Sequence, residues 1–147
     1  MCLAFHAPLK PPDHPVPSGD RLVALGHTDE AGGPWQLAAS LFDVADLAAP
    51  SLLSRVTFGA GYGWVSASAD DLRKAFLVFD PPPAGLGLVL VPVQGWDPSN
   101  WSYVGGTQLI DWSGDALALK GFLGHPGSVT RAFPADAAGT RLVALSD

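Results

Sequence analysis

Arg21-Leu22-Val23-Ala24-Leu25 recurs letter for letter as Arg141-Leu142-Val143-Ala144-Leu145, 120 residues later. A fixed repeat constrains architecture before any single motif does, because each copy should fill the same place in a repeated structural unit. A third copy of the type, Gly87-Leu88-Val89-Leu90-Val91, divides the interval into 66 and 54 residues. Leu41-Phe42-Asp43 is echoed by Leu109-Ile110-Asp111 at an offset of 68, and residues 53–59 are echoed by 119–125 at 66. The segment 74–91, with a loop rich in Pro and Gly, is echoed by 130–145.

Short runs of β-branched, aromatic and aliphatic residues, each bounded by Gly, Pro, Asp or Ser, predict nine strands: 21–27, 35–44, 51–58, 74–80, 86–93, 103–112, 117–123, 129–133 and 140–146. The 17 glycines and 14 prolines are spread along the chain, as turns are in an all-β protein. The one helix-like stretch, 67–75, is short and runs into Phe76-Leu77-Val78-Phe79, so it reads as a loop or single turn. Residues 1–20, with five prolines, form an N-terminal arm, because proline cannot donate to a central ladder. The expected domain is 21–147: an all-β partial β-propeller of about two to two and a half four-stranded antiparallel blades.

Composition removes several function classes. Only 15% of the 147 residues are charged and the net charge is −6, which offers no basic footprint for nucleic acid. No run of about 18 apolar residues predicts a membrane-spanning helix. The first nine residues lack a basic n-region and contain His6 and Pro8, so they fail as a signal peptide. One cysteine, Cys2, cannot form an internal disulfide and leaves the compartment open.

Catalytic signatures are missing as well. His6, His14, His27 and His125 have no metal-ligand spacing. Ser128 follows Gly127 without the Gly-x-Ser-x-Gly elbow, and Cys2 has no arranged histidine. The clusters 59–63 and Gly105-Gly106 neither open a helix nor carry Gly-Lys-Ser/Thr, and read as flexible turns. No catalytic residue, metal ligand or cofactor is assigned. Calcium is the ion weighed, but it needs about six to eight oxygen ligands and no loop supplies an alternating Asp/Asn run. The residues left over are aromatic. Trp64, Trp96, Asp97, Asn100 and Trp101 form the candidate binding set, loop rings beside polar groups that suit a protein or carbohydrate surface.

The stretch 107–147 resembles a WD-repeat: a strand ending at Asp111, a polar turn, a strand, Gly124-His125, then a hairpin. Over about residues 14–147 the chain is more similar to bacterial and archaeal secreted proteins with a C-terminal β-propeller distantly related to WD-repeats. The residues carrying this are Ser40-Leu41-Phe42-Asp43-Val44 with Asp46 and Pro50, Lys74-Ala75-Phe76, Leu90-Val91-Pro92-Val93 and the blade after Tyr103. Leu72-Arg73 stands where an Asp-His pair commonly precedes Lys-Ala-Phe. The resemblance implies export, a structural role for Gly124-His125, and a non-enzymatic interaction or scaffold module. The alternative expectation is part of a hydrolase, lyase or metal site completed by further blades. A ring needs about four to eight blades, so the expected complement is missing blades of a longer protein, a homo-oligomer or a partner; an inert truncated frame is the remaining option.

Overall fold

A computed structural model of the chain describes residues 20–28, 36–59, 62–65, 76–79, 87–97 and 99–146. The expected 1–20 arm up to residue 19, the helix-like stretch and Trp35 lie outside them. Among the described residues there is no helix, and ten strands follow one another: β1 (Arg21–Thr28), β2 (Gln36–Asp43), β3 (Ser51–Phe58), β4 (Tyr62–Val65), β5 (Leu77–Phe79), β6 (Gly87–Trp96), β7 (Tyr103–Ser113), β8 (Ala116–Gly124), β9 (Val129–Pro134) and β10 (Leu142–Ser146). They form three antiparallel sheets: β1-β2-β3, then β4-β6-β7-β8 with β5 also on β6, then the hairpin β9-β10.

Alternation along β6 explains how the sheets stack. Val89, Val91 and Val93 point to one side and bury with Leu25, Leu37, Ala39, Leu41 and Phe58 of the first sheet. Leu88 and Leu90 point to the other side and join Leu109, Ala132, Leu77, Phe79 and Leu142. Successive strand residues face opposite ways, so a middle strand covered on both faces must be apolar at every position. The run from Leu88 to Val93 meets that demand. The middle sheet is therefore sandwiched between the first sheet and the β9-β10 hairpin.

Pro92 lies fully buried inside β6, where a proline would ordinarily break the ladder. The outer edge of β6 is shared: β4 pairs with it from Val93 onward and β5 up to Leu90. Among the described residues none of β4 or β5 pairs with Val91 or Pro92, and Pro92 lies opposite Thr107 on β7.

The repeat survives in three dimensions with one correction. β2 and β7 carry Asp43 and Asp111 at matching places, and the ladder to the next strand shifts at the same step in each, between Leu41 and Phe42 and between Leu109 and Ile110, with Leu53 of β3 and Lys120 of β8 the extra residues. Arg21 lies opposite Asp43, whereas Leu88 lies opposite Asp111. The counterpart of Arg21 is thus Leu88, one residue further than the 66-residue offset suggested. A slip of one residue exchanges the two faces of a strand. That is why Val23 and Val89, aligned by letters, instead pack in the same core from opposite sheets.

Two further expectations are corrected. Gly105 and Gly106 are not a turn: both are buried in β7. A Cβ on Gly106 would collide with the Leu123 carbonyl oxygen, so close approach to β8 is what demands glycine there. Within the cluster 59–63, Tyr62 and Gly63 begin β4, a strand that the glycine count concealed. Among the described residues the sheets hold three, five and two strands.

One ion pair links the layers at their margin and two others lie within a sheet. Arg21 spans two sheets: its Nη1 lies 2.9 Å from Asp43 Oδ2 on β2, and its Nε and Nη2 lie 2.9 and 2.8 Å from Asp115 Oδ1 in the β7–β8 turn. Lys120 Nζ reaches Asp111 Oδ1 at 2.7 Å.

Candidate functional site

Four of the five candidate residues come together at one hairpin tip. Trp96 ends β6, Tyr103 opens β7, and these two are directly paired. Between them, Asp97 N–H donates to Ser102 O at 2.9 Å and Trp101 N–H donates to Asp97 O at 2.7 Å, closing the loop on itself. Asp and Asn shape it further, since their side chains can accept from a backbone N–H two residues on. Asp97 Oδ1 accepts from Ser99 N–H at 2.8 Å and from Ser99 Oγ at 2.6 Å; Asn100 Oδ1 accepts from Ser102 N–H at 2.8 Å.

These bonds hold Trp101 at a φ of 56°, the left-handed region that bulky residues avoid. Such a conformation costs on the order of 1 kcal/mol or more and persists only where its surroundings enforce it. The result is an indole 63% exposed, close in sequence to Trp96 at 43%. Trp96 and Tyr103 rings meet edge to face with centroids 5.9 Å apart, a favoured aromatic geometry that fixes Trp96. Trp64, the fifth candidate, lies on β4 opposite Gln94, and Tyr62 lies opposite Trp96. The strand register therefore brings Trp64 to the neighbouring edge of the same region.

Three residues outside the candidate set, Gln94, Tyr103 and Ser128, support the tip. Gln94 Oε1 accepts hydrogen bonds from Tyr103 OH at 3.0 Å and Ser128 Oγ at 2.9 Å, and the two hydroxyls stand 3.1 Å apart. Gln94 pairs with Gly105 across the ladder, and a Cβ on Gly105 would lie 2.9 Å from the Tyr103 hydroxyl. Glycine thus lets the phenol lie against the strand. The detectable signal was period two: Gln94, Trp96 and, across the hairpin, Tyr103 share one face. Ser128 does not resemble a nucleophile, because an amide oxygen and a phenol are poor proton acceptors near neutral pH.

His125 sits in the adjoining β8–β9 turn. Its backbone N–H donates to Gly105 O at 2.8 Å, and its Nδ1 accepts from Gly127 N–H at 3.1 Å. Among the described residues no group of three or more His, Cys, Asp or Glu gathers as a metal site, and no helix is long and apolar enough to cross a membrane.

The Ser99 hydroxyl, and then the Ser99 N–H, hold the Asp97 carboxyl below the usual aspartate range. A lowered folded-state pKa means that the charged form stabilises the loop above the unfolded pKa, and that this contribution is lost as pH falls through the folded value. Acidification through and below the ordinary aspartate range should therefore relax the loop. Tryptophan emission in wild type and Asp97→Asn checks this: the low-pH step should shrink in the variant, and an unchanged step would refute the assignment.

No known family model matches this chain, and comparison with curated proteins and with solved structures finds no match.

Proposed function

We propose that the chain is a non-enzymatic interaction module of the β-propeller type, related to the secreted bacterial and archaeal proteins named above, and that it binds carbohydrate through the β6–β7 tip. What supports the propeller reading is the stacking of consecutive antiparallel sheets, with repeat-equivalent strands in successive layers. The observation that carries the binding reading is Trp101, exposed and held in a costly conformation by the turn bonds of Asp97 and Asn100. Strain retained at an exposed aromatic points to recognition rather than to packing.

Around the two indoles stand neutral hydroxyl and amide groups: Ser99, Asn100, Tyr103, Gln94 and Ser128, with Asp97 the one acid of the set. A sugar offers the matching mixture of apolar C–H faces and hydroxyls. A protein surface is the second reading, favoured by Val104, an exposed apolar neighbour of Tyr103.

Titration with neutral oligosaccharides and affinity electrophoresis in soluble polysaccharides test the proposal, with protein tryptophan emission as the readout. The double variant Trp96→Ala/Trp101→Ala should keep its circular dichroism and lose at least about tenfold in affinity. Equal binding by a folded variant, or collapse of the fold showing both rings to be core, would reject the site.

A further inference from the structure

We infer that copies of this chain associate head to tail, the outer face of the β9-β10 hairpin of one copy stacking on the outer face of the first sheet of another. The inference rests on the stacked-sheet reading above and starts from the repeated pentapeptide. In β1, Val23 and Leu25 point toward the middle sheet and pack in the core with Val89, Val91 and Val93. Their letter-for-letter counterparts in β10 are Val143 and Leu145. Leu142 packs toward the middle sheet, which turns Val143 and Leu145 outward, where they are 38% and 49% exposed. The same five letters are covered in one sheet and open in the other.

The opposite end of the stack carries the matching surface. The middle sheet meets the first through a cross-strand row, Val89 opposite Ile110 opposite Leu119, whose first two members are fully buried. The repeat-equivalent row in the first sheet is Leu22 opposite Phe42 opposite Leu52. It lies on the face turned away from the middle sheet, because Val23 and Leu41 point inward. Leu52 at its end is 48% exposed. One end of the molecule thus repeats the surface that is covered in the internal contact, and the other repeats the surface that covers it.

Charge follows the same logic. Inside the chain, Arg21 of the pentapeptide reaches Asp115 in a turn of the next sheet. Arg141 opens the second pentapeptide, and the corresponding turn of the first sheet, between β2 and β3, carries Asp46. A surface that pairs with a different surface of an identical partner gives a heterologous contact, which closes into a ring or extends as a filament. The occupant is accordingly a second copy of this chain.

Sedimentation velocity across the micromolar range, on the full chain, tests this. Wild type should show concentration-dependent mass above 15.2 kDa. Val143→Glu/Leu145→Glu and Leu52→Glu should each sediment as folded monomers, and an equimolar mixture of the two should restore a dimer, since each retains the face that the other has lost. A dimer that survives Leu52→Glu but not Val143→Glu/Leu145→Glu would mean a symmetric contact and overturn the head-to-tail arrangement. Monomeric wild type at every concentration would overturn self-association, as expected if the face is covered by another stretch of a longer chain. Neither result touches the sugar-binding reading, which is decided separately by the Trp96 and Trp101 variant.

Discussion

Gly106→Ala should cost at least about 3 kcal/mol and abolish the folded state in a marginally stable domain. The added methyl carbon would collide with the Leu123 carbonyl oxygen and lie 2.7 Å from Phe122 Cζ. The phenyl ring can turn aside, but the carbonyl is backbone. Nor can β7 withdraw, because Gly106 is paired with Val93 on one side and Gly124 on the other. Gly121→Ala is the control: it too lies in a strand, yet a Cβ there meets nothing within 4 Å. Urea unfolding of both variants should show Gly121→Ala close to wild type and Gly106→Ala unfolded or nearly so. Similar midpoints for the two would show that β7 and β8 do not approach as described.

Leu90→Ala should destabilise by about 2–5 kcal/mol, the range for deleting a fully buried aliphatic side chain and leaving a cavity. Leu90 is completely buried, and its face of the middle sheet is covered by β5 and by the β9-β10 hairpin. The result therefore measures whether that hairpin is an integral layer. Leu119→Ala, at a half-exposed position on β8, should change stability by no more than about 0.5 kcal/mol. A cost for Leu90→Ala as small as that of Leu119→Ala would mean that the hairpin does not seal this face.

Much of the strand pattern was legible because the physics behind it is local. Alternation and turn residues place β1, β3, β7 and β9 within a residue or two of their observed ends. The copies of the repeated pentapeptide also fall on strands, β1, β6 and β10. Offsets failed where a bulge or an unequal hairpin shifts the ladder by one residue, because such a shift leaves the letters alike while reversing the faces. Glycine was the other blind spot. Its meaning depends on what approaches it, so Gly105 and Gly106 read as loop when they are the tightest contact in a strand, and Tyr62-Gly63-Trp64-Val65 was lost as β4.

The candidate site divides along the same line. Trp96, Asp97, Asn100 and Trp101 were visible as aromatic and polar residues in a loop, and they share one hairpin. Gln94 and Ser128 stand 34 residues apart and were invisible, because their hydrogen bond exists only once β6 and the β8–β9 turn are brought together.

The divided edge of β6 has a bearing on how the molecule opens. Where one strand runs the length of an edge, its ladder tends to detach as a unit; at β6 the edge is divided between β4 and β5, with no paired residue bridging them among the described residues. The tip of β6 that carries Trp96 is lined by β4, while β5 packs into the layer beneath the β9-β10 hairpin. The strand beside the binding loop can therefore fray and re-form as its own small cooperative unit without loosening the buried layer. The edge beside the recognition end and the edge beneath the hairpin are thus two strands rather than one.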